Sequence, residues 1–189
     1  MIVAGIDNGL DGAVVVLDED GNVIARYVMP TLGLTATKRE FDGQMLRSYL
    51  VDPNRPAITH AFIEYSQAMP DQGGVSMWKT GMGYGLNVGL LVGLQIPYTV
   101  VRPLTWTRLM FAGLPKDGKN TTRIVAQRLW PKVDWRANER CRVAHDGLCD
   151  AALIAEFGRR TLKGQANAGR TSSAGSKPTS NAGGSGSGV

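Results

Sequence analysis

Several residue types and patterns are scarce in this chain. Of its 189 residues only two are cysteine, Cys141 and Cys149. So few thiols exclude a disulfide-stapled scaffold and point to a reducing compartment. Aromatic residues amount to 7%, which argues against a recognition surface made mainly of stacked rings. No run of about 18 apolar residues occurs, so nothing reads as a transmembrane helix. Residues 1–7 lack a basic stretch followed by a cleavable apolar run and do not read as a signal peptide. Residues 164–189 have no Leu, Ile, Met, aromatic or acidic residue. Such a segment buries too little to offset its ordering entropy, and a flexible tail is expected there. No internal repeat is evident.

The rest of the chain has the means to fold. Its hydrophobic fraction is 43% and its charged fraction 20%, enough for one core and unlike a disordered chain. One domain over residues 1–163 is expected. The net charge is +5, but it is unevenly spread. Residues 1–101 carry six basic and ten acidic side chains, whereas 102–142 carry ten basic and three acidic. A concentrated basic stretch fits an anionic partner, although a solvated face has the same composition.

The pattern reads as mixed α/β. Residues 2–7, 12–18 and 22–29 are apolar runs separated by Asn-Gly and Asp/Gly turn signals, which predicts an antiparallel meander. Residues 38–50 have helical spacing at Phe41, Met45 and Tyr49. Residues 58–64 and 98–102 read as further strands. Residues 76–94, 105–111, 120–130 and 146–162 read as helices. The expected architecture is a five-stranded mixed sheet with helices on both faces.

Four acids then draw the eye. Asp7 and Glu64 end strands. Asp146 and Asp150 open the last helix four apart, on one face. Converging carboxylates repel unless a cation lies between them, and hard divalent cations take such oxygen ligands. Each acid also has a plainer role open to it: Asx turn for Asp7, strand-end ion pair for Glu64, helix cap for Asp146, dipole partner for Asp150.

In order and spacing, Gly-Ile-Asp-Asn-Gly (5–9), Phe-Ile-Glu-Tyr (62–65) and His-Asp-Gly-Leu-Cys-Asp-Ala-Ala-Leu (145–153) resemble the RuvC-like Holliday junction resolvases. The resemblance covers roughly residues 1–160 and is nearest to the phage-encoded branch of these ribonuclease H-like enzymes. It implies a ribonuclease H-like fold and a crossover junction endodeoxyribonuclease that works in DNA recombination and repair. It also implies a homodimer and two Mg²⁺ ions per active site, with Mn²⁺ able to substitute. Asp7, Glu64, Asp146 and Asp150 would be both catalytic and metal-ligating. The cellular resolvases space their last two acids three apart, so the match carries to Asp150 more directly than to Asp146. His145 is a possible auxiliary beside them, or only a helix-start residue. Lys116, Lys119 and Arg123 would contact DNA, and Gln67, Met69 and Trp78 would reach into a junction; surface charge and, for Trp78, core packing are the alternatives. The helix at 76–94 would be the dimer surface. The implied partner is branched DNA, four-way junctions above all, with no membrane and no small-molecule cofactor. The implied location is the cytoplasm, of a bacterial host if the chain is phage-encoded.

Other readings use the same residues. A broader ribonuclease H-like nuclease acting on flaps, branched DNA or RNA–DNA hybrids needs the same acids. A non-catalytic DNA-binding protein would not need all four. An actin-like ATPase or sugar kinase requires a second domain of the same kind. Cys141, His145 and Cys149 lack a fourth ligand and knuckle spacing, which argues against zinc.

Overall fold

Three apolar runs separated by tight turns build the expected meander. They are β1 (Val3–Asp7), β2 (Ala13–Leu17) and β3 (Val23–Val28), paired antiparallel in sequence. Asp18 makes the second turn, its Oδ1 accepting the N–H groups of Asp20 and Asn22. The computed structural model describes residues 1–33, 38–67, 73–114 and 118–173, without the side chains of 118–119 and 169–173.

The two later strands, β6 (His60–Glu64) and β7 (Tyr98–Val101), add parallel to β1, giving the order β3-β2-β1-β6-β7. Alternation along each strand sorts side chains between two faces. Ala4, Ile6, Val14, Val16, Ala61 and Ile63 share one core with Leu46 and Leu50 of α1 (Gly43–Leu50) and Leu91 of α2 (Gly74–Gly93). The opposite face meets α5 (Asp146–Ser173). There the backbones nearly touch, because a Cβ on Gly5 would collide with the carbonyl of Ala151 and the amide of Ala155. The Ala-rich stretch of α5 allows that approach, and Phe62 packs edge-on against Phe157 at 6.2 Å. Helices thus cover both faces of a five-stranded mixed sheet, the ribonuclease H-like arrangement.

Three expectations need correction. Residues 38–50 are not one helix. Glu40–Phe41 forms a short strand, β5, antiparallel to β4 (Thr31–Leu32), and α1 begins only after Asp42. Asp42 ends the extended stretch by accepting the Met45 N–H at 2.9 Å, a side-chain cap. Phe41 therefore reaches the core from a strand, not from the helix face its spacing implied. The helix after β7, α3 (Pro103–Met110), starts at Pro103, which suits a first turn because its missing N–H has no intrahelical partner. Last, α5 continues to Ser173 rather than ending at Leu162.

The chain divides into two units, Met1–Arg159 and Arg160–Val189. The first holds the sheet and the residues discussed below. The second opens with the end of α5, and the expected tail beyond Ser173 lies outside the described residues. Among the described residues no helix is long and apolar enough to cross a membrane.

Candidate active site

The strand period that fills the core also places the acids. Ala4 and Ile6 face α1 and α2, so Asp7 falls on the α5 side. Ala61 and Ile63 do the same in β6, so Glu64 falls there too. The parallel register pairs Ile6 with Ile63, and one step further Asp7 and Glu64 stand at neighbouring carboxyl ends. In open α/β sheets that is where ligands gather. A hydrogen-bonded latch ties the two ends together. Asn8 Nδ2 donates to the Glu64 carbonyl at 2.6 Å, and Ser66 Oγ donates to Asn8 Oδ1 at 2.6 Å.

The start of α5 is pressed onto the same corner. A Cβ on Gly147 would strike the Asp11 carbonyl and the Gly12 backbone, so only glycine lets the first turn sit against the β1–β2 turn. Asp146 and Asp150, one helical turn apart, then face Asp7 across a cleft of about 550 Å³ lined also by Arg123, Cys141 and His145.

The electrostatics show the acids acting on one another. Burial pushes the Asp150 carboxyl up to about 7, and the charge on Asp7 adds to that. The Thr122 hydroxyl opposes the rise by donating to Asp150, while Glu64 and Asp146 push it further up. Glu64 is likewise raised to about 7, first by burial and also by Asp7. Trp106 of α3 resists this by donating Nε1–H to Glu64 Oε1 at 2.8 Å. Asp7 Oδ1 accepts the Gly9 N–H at 3.3 Å, the Asx-turn contact open to it, while its charge also bears on Glu64 and Asp150.

Among the described residues, no three His, Cys, Asp or Glu side chains already stand at ion-holding spacing. The two observations concern different distances. Carboxylates feel each other strongly over about 4–6 Å, whereas ligands of one small cation sit about 2.1 Å from it. The acids are coupled without being drawn together.

The remaining candidates fall in varied places. Arg123, expected at DNA, pairs with Asp146 through Nε–H to Oδ1 at 2.7 Å and lines the cleft. His145 caps α5, its Nδ1 accepting the Leu148 N–H at 3.3 Å, and burial holds its pKa below the usual value. Cys149 is buried in the helix, and burial with the nearby Asp150 and Asp146 pushes its thiol up to about 12. Trp78 is 71% exposed on the first turns of α2, so it does not pack in the core. Gln67 is exposed just after Glu64. Lys116 and Met69 lie outside the described residues, as does the Lys119 side chain at the start of α4 (Gly118–Leu129). Trp106, Thr122 and Asn8 hold the acids in place; Asn8 lies inside the Gly-Ile-Asp-Asn-Gly motif, where it drew notice only as a turn residue, and Trp106 and Thr122 carry no motif.

No protein-family profile and no curated protein sequence matches the chain. Solved structures do. The Thermus thermophilus RuvC in complex with a Holliday junction substrate superposes with a TM-score of 0.58 at 13% identity, over 87% of this chain and 97% of that one. A second Thermus thermophilus RuvC structure gives 0.52 at 18% identity over the same shares. The chain has the ribonuclease H-like fold. At such identities the likeness is one of fold alone.

Proposed function

We propose that the chain is a metal-dependent ribonuclease H-like nuclease that hydrolyses phosphodiester bonds in branched nucleic acid. One observation carries the reading: Glu64 and Asp150, on separate elements, are both lifted to about 7, and the charge of Asp7 on a third contributes to each. A fold gains nothing by half-burying acids that also raise one another, so their placement has its use in what they hold. The donor set is all oxygen, which suits Mg²⁺ or Mn²⁺ and not zinc.

Asp7, Glu64 and Asp150 would hold the cations, with Asp146 beside them. When bound, divalent cations supply the Lewis-acid charge that activates a water and stabilises the leaving 3′ oxygen. The other side chains position. Trp106 holds one Glu64 oxygen, Thr122 holds Asp150, and the Asn8–Ser66 latch fixes the spacing of the strand ends. Arg123 keeps Asp146 at the cleft wall and adds positive charge where a phosphate would lie. The basic excess over residues 102–142 supplies the wider attraction for a polyanion.

A narrower reading is junction resolution. Its support is the fold shared with a RuvC solved on a Holliday junction. It would use a homodimer, and α2 offers a surface for one. The test is cleavage of end-labelled four-way, Y-fork, flap, RNA–DNA hybrid and linear duplex substrates in Mg²⁺. Cleavage of branched forms or hybrid over duplex, lost in Asp7→Asn, supports the nuclease. A marked preference for the four-way junction supports the resolvase. No Mg²⁺-dependent cleavage of any substrate would sink both.

A further inference from the structure

Residues 130–145 join α4 to α5 without helix or strand, a length of irregular chain that compact domains keep mainly where it serves a function. We propose that this segment grips the sugar–phosphate backbone of a duplex arm that leaves the acids on the β3 side. The inference rests on the nuclease reading above and names the surface on which the substrate lies.

The segment is irregular but held at several points. Trp130 Nε1–H donates to the Gly21 carbonyl at 2.7 Å, and the buried Trp135 packs edge-to-face on the Trp130 ring. Arg26 of β3 donates from Nη1 to the Arg136 carbonyl at 3.2 Å. Asn138 then turns the chain, its Oδ1 accepting the Arg140 N–H at 3.0 Å and its carbonyl the Cys141 N–H at 3.1 Å.

Charge gives the occupant. The cleft is lined by Asp7, Asp11, Asp146 and Asp150, which repel a polyanion unless cations offset them. The nearest arginines are already engaged. Arg123 pairs with Asp146 and Arg39 with Asp11, each at 2.7 Å, and Arg136 pairs with Asp134 at 2.8 Å. Arg140 and Arg142 differ. Both are exposed, and their guanidinium groups have no hydrogen-bond or ion-pair partner among the described residues. They alternate along the chain with Cys141 and Val143, which line the cleft, so they stand at its rim. Glu139 is the only acid from 135 to 145.

The sheet register sets the reach. Arg26 pairs with Val15, and Val15 with Gly5, two residues before Asp7. The segment is therefore anchored two strands across from the acids, about 10 Å. That is the rise of about three base pairs of duplex. A phosphate over the acids thus leaves the following phosphates of the same arm at the rim. Guanidinium forks match phosphate oxygens in pairs, and a rim fixed by the fold suits a duplex, whose phosphates are themselves fixed in spacing.

The test uses the full chain in chelator and reads fluorescence anisotropy of a labelled 20-base-pair duplex between 50 and 200 mM salt. Arg140→Gln and Arg142→Gln each remove one exposed charge, and thermal melts check that both fold. Each is expected to weaken binding about 5- to 10-fold at 0.1 M salt and to reduce the salt slope by about one, the loss of one phosphate contact. Arg47→Gln removes the same charge from α1, on the other face of the sheet, and should leave the slope unchanged. An unchanged slope in both rim variants, or an equal change in Arg47→Gln, overturns the clamp even if the chain cleaves branched DNA. The expected losses in a chain that cleaves nothing keep the clamp and overturn the nuclease reading.

Discussion

Replacing Asp150 by Asn should abolish cleavage and stabilise the metal-free protein. The carboxyl is lifted from 3.8 to about 7 in the folded state. Below the lower value both folded and unfolded chains are protonated and nothing is lost. Between the two values the unfolded chain releases its proton while the folded chain keeps it, so stability falls as pH rises. Above about 7 the full penalty stands, about 4 kcal/mol. Asn removes the charge and still accepts from the Thr122 hydroxyl. Water entering the cleft and relaxation of Asp7 will recover part of the penalty in the wild type. A gain of about 2 kcal/mol at pH 8 is therefore expected, about 4–8 °C in Tm for a domain of this size. At pH 5 most of the gain should vanish, because Asp150 is then largely protonated. The assay is thermal denaturation by circular dichroism in chelator at both pH values, with cleavage measured in parallel. A variant less stable than wild type at pH 8, or a gain equal at pH 5 and pH 8, would refute the reasoning.

The same physics makes further predictions. Wild-type protein in chelator should lose stability from pH 5 to pH 8 and recover it on adding millimolar Mg²⁺, since a ligand bound only by the folded state stabilises it; a melt insensitive to Mg²⁺ at pH 8 counts against the site. Trp106→Phe removes the donor that lowers Glu64, so the acidic limb of the pH–rate profile should move to higher pH, by up to about one unit. Gly147→Ala forces a Cβ into the Asp11–Gly12 backbone and should cost about 2 kcal/mol or more in urea unfolding. Arg123→Ala should lower DNA affinity and reduce the salt slope of binding by about one; an unchanged slope would mean that Arg123 serves Asp146 alone.

Much of this was legible beforehand, for definite reasons. Apolar runs bounded by turn signals located β1, β2 and β6 and put Asp7 and Glu64 at strand ends; that the two share a face follows from which neighbours reach the core. The spacing of Asp146 and Asp150 put them on one helical face. What could not be read was local or long-range. β4 and β5 are two residues each, too short to show a period, and Asp42 stopped the helix where Phe41 spacing seemed to continue it. The Arg123–Asp146 pair and the Trp106–Glu64 bond join residues 23 and 42 apart. Such contacts follow from helix docking, not from any stretch of sequence. The segment between α4 and α5 has no period either. It is held by Trp130 packing on Trp135 at 5.6 Å and by the His145 N–H donating to the Trp135 carbonyl at 2.7 Å. The +5 of the whole chain likewise concealed a basic segment running into an acidic centre.

Asp7, Glu64 and Asp150 are expected to hold divalent cations together. Anomalous diffraction from crystals of the protein grown with Mn²⁺ tests it most directly. Anomalous peaks bounded by the carboxylates of all three residues are expected, absent in crystals of Asp150→Asn. Mn²⁺ bound only elsewhere, or the three carboxylates remaining apart in saturating Mn²⁺, would contradict it.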